Sequence, residues 1–260
     1  MKQLTDYFSL KGKVAVVTGA VNDIAFQIAD ALSAVDARIA IVDTSEQEGI
    51  AAADRLGCQH DKARFWQADV SDDNAVRQAI TSIEAHFSRI DILINCAGVN
   101  VAQSPAQGLS IAQWQRAMQL NVNGCILCSK HVADAMDRAG GGAIVNVLSP
   151  CGMTGSREAS ADFAAKAALR MAYIDAQRYA ARNIRVNCIH PCLIRPPVLE
   201  AAMREEGDLT QTFIDMQQIR LPGPKGSNND VAAGVLYLVS DAGRFVTSSE
   251  LVINSGHSFK

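Results

Sequence analysis

Short apolar runs alternate along this chain with longer stretches in which apolar positions recur every three to four residues. Lys13-Val-Ala-Val-Val17 leaves no polar face, which predicts a first strand buried on both sides. A helical pattern follows from about Asp23 to Ala34, then a second strand at Arg38–Val42. Ser45-Glu-Gln-Glu48 has capping-box spacing and predicts the start of the next helix. Arg64–Trp66 reads as a short third strand, with Ser71 as the expected cap of a helix ending at Phe87. Ile92–Ile94 is the fourth strand. Ser110-Ile-Ala-Gln113 again has capping-box spacing, opening a long helical region towards Met136. Ala143–Leu148 is the fifth strand, a helix spans about Asp162 to Ala181, and Ile184–Ile189 is the sixth strand. Asn229–Val239 reads as a last helix and Leu251–Ile253 as a seventh strand.

Strands alternating with helices predict βαβ units. The expected fold is α/β, a Rossmann-type doubly wound sheet of seven parallel strands with helices on both faces. Residues 1–260 are expected to form one domain, because no repeat, low-complexity tract or linker interrupts the pattern. Residues 196–226, bracketed by Pro196, Pro197, Pro222 and Pro224, are the least regular section and the expected substrate loop.

Composition narrows the function. A formal net charge of −3 offers no field for nucleic acid or for an anionic membrane surface. No apolar run approaches the ~20 residues needed to cross a bilayer. The start, Met1-Lys-Gln-Leu-Thr-Asp-Tyr-Phe, lacks a signal-peptide pattern, and seven cysteines are an odd count for a disulfide framework. A cytoplasmic protein acting on a small molecule is expected. Cys125-Ile-Leu-Cys128 has CxxC spacing but no second ligand pair, so it reads as core thiols. No metal site is expected among the five histidines, and His190 is read as structural.

A strand ending in Thr18-Gly19-Ala20 and turning into a helix can hold a diphosphate on the helix N-terminus. Asp43, ending the second strand, can accept from the ribose hydroxyls of NAD and repel the added phosphate of NADP; it can equally cap the helix after Asp43-Thr44-Ser45.

With these motifs in order, the chain resembles the short-chain dehydrogenase/reductase family over essentially its whole length. Thr18-Gly19-Ala20 with Ile24 is similar to the family's cofactor loop, and Asp69-Val70 to its adenine-contacting pair. Asn95-Cys-Ala97-Gly98 resembles the Asn-Asn-Ala-Gly turn, Asn121-Val-Asn-Gly124 the mid-helix asparagine motif, and Asn183-Ile-Arg-Val-Asn187 the approach to a Pro-Gly turn. The resemblance implies NAD(H) held by these motif residues together with Asp43, Lys166, Pro191 and Ile194. It also implies assembly as a homodimer or homotetramer.

The chain departs from the family where the cofactor would lie. Of three loop glycines only Gly19 is kept; Asp23 and Ala25 stand at the other two. An inward Asp23 carboxylate ~5 Å from a phosphate charge, at an effective dielectric of ~20, would repel it by roughly 3 kcal/mol, about two decades of affinity. Turned outward, Asp23 would simply cap the helix. Ala25 also occurs in the enoyl reductase branch. The family's Pro-Gly is Pro191-Cys192, and its carboxamide-binding threonine corresponds to Pro196, which has neither hydroxyl nor N–H. Weakened NAD affinity is expected from Asp23, Ala25 and Pro196.

The largest departure is catalytic. In the family a serine is followed thirteen residues later by a tyrosine and four further on by a lysine. Here Ser149 and Lys166 keep that spacing, and Asp162 stands where the tyrosine would be. By resemblance Lys166, Ser149 and Asn121 keep supporting roles. Asp162, with a reference pKa of ~3.9 rather than ~10, is a poor acid for a ketone oxygen and a suitable base for a hydroxyl or carbon-bound proton. Three readings stay open: an atypical NAD(H)-linked oxidoreductase on a small carbonyl, alcohol or activated alkene; a lyase, isomerase or cyclase using Asp162 and Lys166; and an inactive binding protein in which Asp162 only caps its helix. Cys96, Cys151 and Cys192 lie on motif turns and are expected to line the pocket as unreactive thiols.

Overall fold

The computed structural model describes residues 3–57, 61–98, 108–148, 160–169, 172–191 and 226–254. Seven parallel strands form one sheet in the order β3-β2-β1-β4-β5-β6-β7. They are β1 Val14–Thr18, β2 Arg38–Asp43, β3 Ala63–Gln67, β4 Ile92–Asn95, β5 Gly142–Val147, β6 Ile184–Pro191 and β7 Glu250–Ile253. The described helices are α1 Asp23–Ala34, α2 Glu46–Arg55, α3 Asp73–Phe87, α4 Ile111–Met118, α5 Gly124–Arg138, α6 Ser160–Leu169, α7 Ala172–Tyr179 and α8 Asn228–Val239. Chain order reverses between β1 and β4, so a crevice opens at their carboxyl ends.

Side-chain alternation sends each strand into two apolar layers. Val14 and Val16 of β1 pack with Ile83 and Phe87 of α3 and Val132 and Met136 of α5. Ala15 and Val17, one position out of phase, pack with Ile28 and Leu32 of α1 and Val231 and Val235 of α8. Every residue of β1 is buried, as its unbroken apolar run requires.

Local details correct the sequence reading at several helix ends. Ser110 and Gln113 form the reciprocal capping box on α4, but Ser45 makes no side-chain cap on α2. There the Asp43 carboxylate takes the Ser45 N–H at 3.3 Å. The cap of α3 is Asp72, accepting from Asn74 and Ala75 N–H groups, rather than Ser71. A carboxylate is the stronger acceptor, and Ser71 spends its hydroxyl on Asp69 at 2.7 Å. The long region after Ser110 is interrupted by a π-helical turn, Gln119–Asn123. Helix α6 starts at Ser160, so Asp162 lies in its first turn and is not the N-cap.

Candidate active site

A cleft of about 460 Å³ opens at the carboxyl ends of β1–β4. Its floor depends on Gly19. With φ +70° this residue sits in the left-handed region, and a Cβ there would lie 2.6 Å from Ala97 Cα. Thr18 sets the same approach from the strand side. Its hydroxyl accepts the N–H groups of Cys96 and Ala97, both at 3.1 Å, and donates to the Ile94 carbonyl at 3.3 Å. The turn after β1 and the turn after β4 are thus stitched together by backbone and one buried hydroxyl.

Asp43 and Asp69 supply carboxylates to the cleft wall. Asp43 Oδ1 takes the Thr44 N–H at 2.7 Å, and Oδ2 takes the Val21 N–H at 3.4 Å. It therefore braces both the turn after β1 and the approach to α2. Asp69 Oδ1 is held by the Ser71 N–H at 2.9 Å and the Ser71 hydroxyl. Burial pushes this carboxyl up, but the Ser71 bonds and the Arg116 charge outweigh it and hold it below its ordinary value.

Asn22, not Asp23, faces the cleft and caps α1, its side chain accepting from Ala25 N–H at 2.9 Å. Asp23 is exposed and lines a separate pocket on the other side of the loop, with Phe26, Glu48 and Arg55. Ala25 is fully buried against the apolar layer under α1, where a methyl fits.

At the other end of the cleft, Gly98 brings two of the expected residues together. A Cβ on Gly98 would collide with Asn121 Oδ1 and lie 3.7 Å from Lys166 Nζ. The π turn carries Asn121, 1% exposed, to this place. Lys166 arrives from α6. Its positive charge also reaches Cys96 and Cys125, though burial dominates and pushes their thiols up to about 11 and about 12. Burial pushes Cys128 up as well. Cys96, Cys125 and Cys128 are free thiols and hold no nucleophile at neutral pH.

Other expected residues lie off the cleft wall. Asn95 is buried beneath it, its amide donating to Asn146 Oδ1 at 2.9 Å and tying β4 to β5. Ile24 packs into the layer under α1. Pro191 ends β6, opposite Ile253. His190 is fully buried, 3.6 Å from Glu250. Ser149, Cys151, Cys192, Ile194 and Pro196 lie outside the described residues, as does nearly all of the expected substrate loop; Asp162 is placed by its backbone in α6 only. Among the described residues no group of three His, Cys, Asp or Glu side chains could hold a metal, and no helix is long and apolar enough to cross a membrane. Sequence reasoning missed Asn22 and Arg116, and named Thr18 only as part of the loop motif, without the bracing role of its hydroxyl. The threonine was visible beside Gly19; Arg116 lies five residues before Asn121 on a half-exposed helix face, where no motif marks it.

The crevice at the switch point of the strand order, with its two carboxylates, defines a doubly wound α/β protein of the Rossmann type. Comparison with known proteins agrees. The short chain dehydrogenase family signature matches residues 13–207. D-threitol dehydrogenase of Mycolicibacterium smegmatis is 34% identical over 97% of this chain and 95% of its own length. NAD-dependent glycerol dehydrogenase of Listeria innocua is 31% identical over 97% of this chain and 96% of its own. Among solved structures, NAD+-bound xylitol dehydrogenase superposes with a TM-score of 0.88 at 28% identity, covering 95% of this chain and 99% of that one. A 7α-hydroxysteroid dehydrogenase complexed with NADH and 7-oxo glycochenodeoxycholic acid gives 0.88 at 25% identity, covering 98% of each chain. The chain belongs to the short-chain dehydrogenase/reductase family, an oxidoreductase family.

Proposed function

We propose that this protein is an NAD(H)-linked oxidoreductase that acts on a small alcohol, with Asp162 standing in for the family's tyrosine as the proton acceptor. The observation that carries the reading is the joining of two half-sites in one groove. Asp43 and Asp69 offer acceptors at one end, and Asn121 and Lys166 meet across Gly98 at the other. Gly19, Asn22 and Ala97 would flank the diphosphate between them, and bound NAD would supply the hydride chemistry. The relatives named above are alcohol and polyol dehydrogenases, which supports the same substrate class.

The direction follows from the acid–base character of the site. A carboxylate with a reference pKa of ~3.9 is ionised at neutral pH and can take a hydroxyl proton as hydride leaves the carbinol carbon. It has almost no proton to give a ketone oxygen. The ionised carboxylate is thus the form suited to accept the proton released in alcohol oxidation. Lys166 supplies the positive charge that stabilises a developing alkoxide, and Asn121 supplies an amide to hold or pass a proton at the buried side. Ser149, by resemblance, orients the substrate hydroxyl. We further infer a cytoplasmic homodimer or homotetramer; Ile111 and Trp114, one turn apart on α4, and Ile126 on α5 are exposed apolar side chains such an assembly would cover.

A second reading, a lyase, isomerase or cyclase with Asp162 as base, is favoured by one observation, the replacement of two loop glycines together with the tyrosine. The test has two parts. NADH is titrated by fluorescence, then Asp162→Asn and Asp162→Tyr are assayed with NAD and a panel of small polyols and cyclic alcohols. The proposal expects saturable NADH binding and a ~10²–10⁴-fold loss of alcohol oxidation in the Asn variant. Absence of NADH binding at millimolar concentration would transfer the assignment to the non-redox reading. Full turnover in Asp162→Asn would remove Asp162 from the chemistry.

A further inference from the structure

The cleft holds two fixed carboxylates, Asp43 and Asp69, and the ligand proposed for it carries an anionic diphosphate. Among the described residues lining it the one cation is Arg116, with Lys166 standing beyond Gly98 at the opposite end. The guanidinium stands on α4 one turn before Leu120, which lines the same wall, and is 3.9 Å from Asp69 Oδ2. That distance is too long for a hydrogen bond and short enough for a substantial Coulomb attraction. The geometry of Asp69 adds to this. Its Oδ1 is occupied twice by Ser71, which fixes the carboxylate plane, while Oδ2 faces Arg116 across a gap.

We infer that Arg116 is a positioning residue for the adenosine half of the dinucleotide, acting through Asp69 and through its own charge; this rests on the dinucleotide reading above. The role is not to ionise Asp69. The Ser71 bonds already favour the charged form, and a carboxylate of ordinary pKa is ionised at pH 7 in any case. What Arg116 contributes is position and balance. It holds Oδ2 towards the cleft without consuming the lone pairs an exocyclic amine needs. It also offsets the negative charge that Asp43 and Asp69 place against an anionic ligand. A flat guanidinium can additionally stack on a purine face, which a lysine ammonium does less well. The plain alternative is a surface ion pair. The Arg116 side chain is 54% exposed, and pairs of that kind contribute little to stability.

Binding of the two halves of the cofactor separates these accounts. Wild type, Arg116→Ala, Arg116→Lys and Arg116→Glu are titrated calorimetrically with AMP, with reduced nicotinamide mononucleotide and with NADH, at two salt concentrations. The inference expects Arg116→Ala to weaken AMP and NADH by about fivefold and Arg116→Glu by about twenty-fivefold, the scale of one and two partly screened charges. Arg116→Lys should fall between wild type and Ala. The mononucleotide should bind all four proteins equally, and the AMP difference should shrink at high salt. An Asp69→Asn/Arg116→Ala cycle should be non-additive for AMP, which an independent structural role would not produce. AMP binding unchanged in Arg116→Ala and Arg116→Glu overturns the inference, and so does an equal loss for the mononucleotide. If wild type binds AMP but not NADH, the oxidoreductase reading fails and Arg116 is judged on AMP alone. If it binds neither, both are overturned.

Discussion

Replacing Gly19 by alanine should damage this protein far more than the same change at Gly12, although both glycines have φ near +75°. At Gly12, φ +79°, an added Cβ meets nothing within 4 Å. The cost there is the left-handed backbone alone, about 1–2 kcal/mol. At Gly19 the new methyl would stand 2.6 Å from Ala97 Cα and 2.8 Å from Ala97 N, where ordinary contact begins at 3.4 Å. Two backbone turns must separate by roughly 0.8 Å, and neither can rotate away as a side chain could. The separation also strains the Ala97 N–H bond to the Thr18 hydroxyl. Overpacking adds about 1–3 kcal/mol, so Gly19→Ala should lose about 2–5 kcal/mol against about 1–2 for Gly12→Ala. Urea denaturation followed by circular dichroism measures both. NADH titration of the folded variants should show Gly12→Ala unchanged and Gly19→Ala weakened by about tenfold, because the displaced turn is the cleft floor. Equal stability loss in the two variants would refute the close-approach argument.

Three more outcomes follow from named contacts. Asp91 is 3% exposed and accepts from Lys13, Arg89 and the Val14 N–H; burial pushes its carboxyl up, but these partners outweigh that and hold it below the ordinary range. Asp91→Asn should cost about 3 kcal/mol near pH 7. Because the folded pKa is depressed, the difference from wild type should be full above about pH 4 and narrow as pH falls through the folded value; a gap constant to pH 2 would contradict this. Asp23→Gly should change NADH affinity by less than about twofold, since Asp23 lines the pocket beyond the loop; tenfold tightening would mean that the carboxylate reaches the diphosphate. Cys125, its thiol pushed up to about 12 by burial, should have a thiolate fraction of about 10⁻⁴ at pH 8. Peptide-resolved iodoacetamide labelling should miss it in the folded protein and find it in urea, and rapid labelling of the native form would count against the core assignment.

Much of the architecture was legible from periodicity. The short unbroken apolar runs at β1 and β4 suit strands buried on both faces, and the helical spacing between strands points to a parallel sheet as the way to cover them. Helix ends were less legible, because a cap is a competition among neighbours. Ser71 and Asp72 were both eligible for α3, and only the Asp69 carboxylate, which takes the Ser71 hydroxyl, decides the winner. The π turn left no mark in composition; it costs one misaligned turn and places Asn121 beside Gly98.

The residue types of the site belong to the sequence alone. Gly19, Asp43, Asp69, Asn121 and Lys166 could be named from motif order, and the substitution of Asp162 for tyrosine is a matter of covalent chemistry that no fold can alter. Which way those side chains face is decided only in three dimensions. Asn22 and Asp23 are adjacent in sequence, yet one caps α1 in the cleft and the other faces a different pocket, because Asn22 is still extended backbone and Asp23 is the first helical residue. Arg116 joins Asp69 across 47 positions of sequence. Such a pairing has no local signature, since it arises only when the fold brings the segment after β3 beside α4.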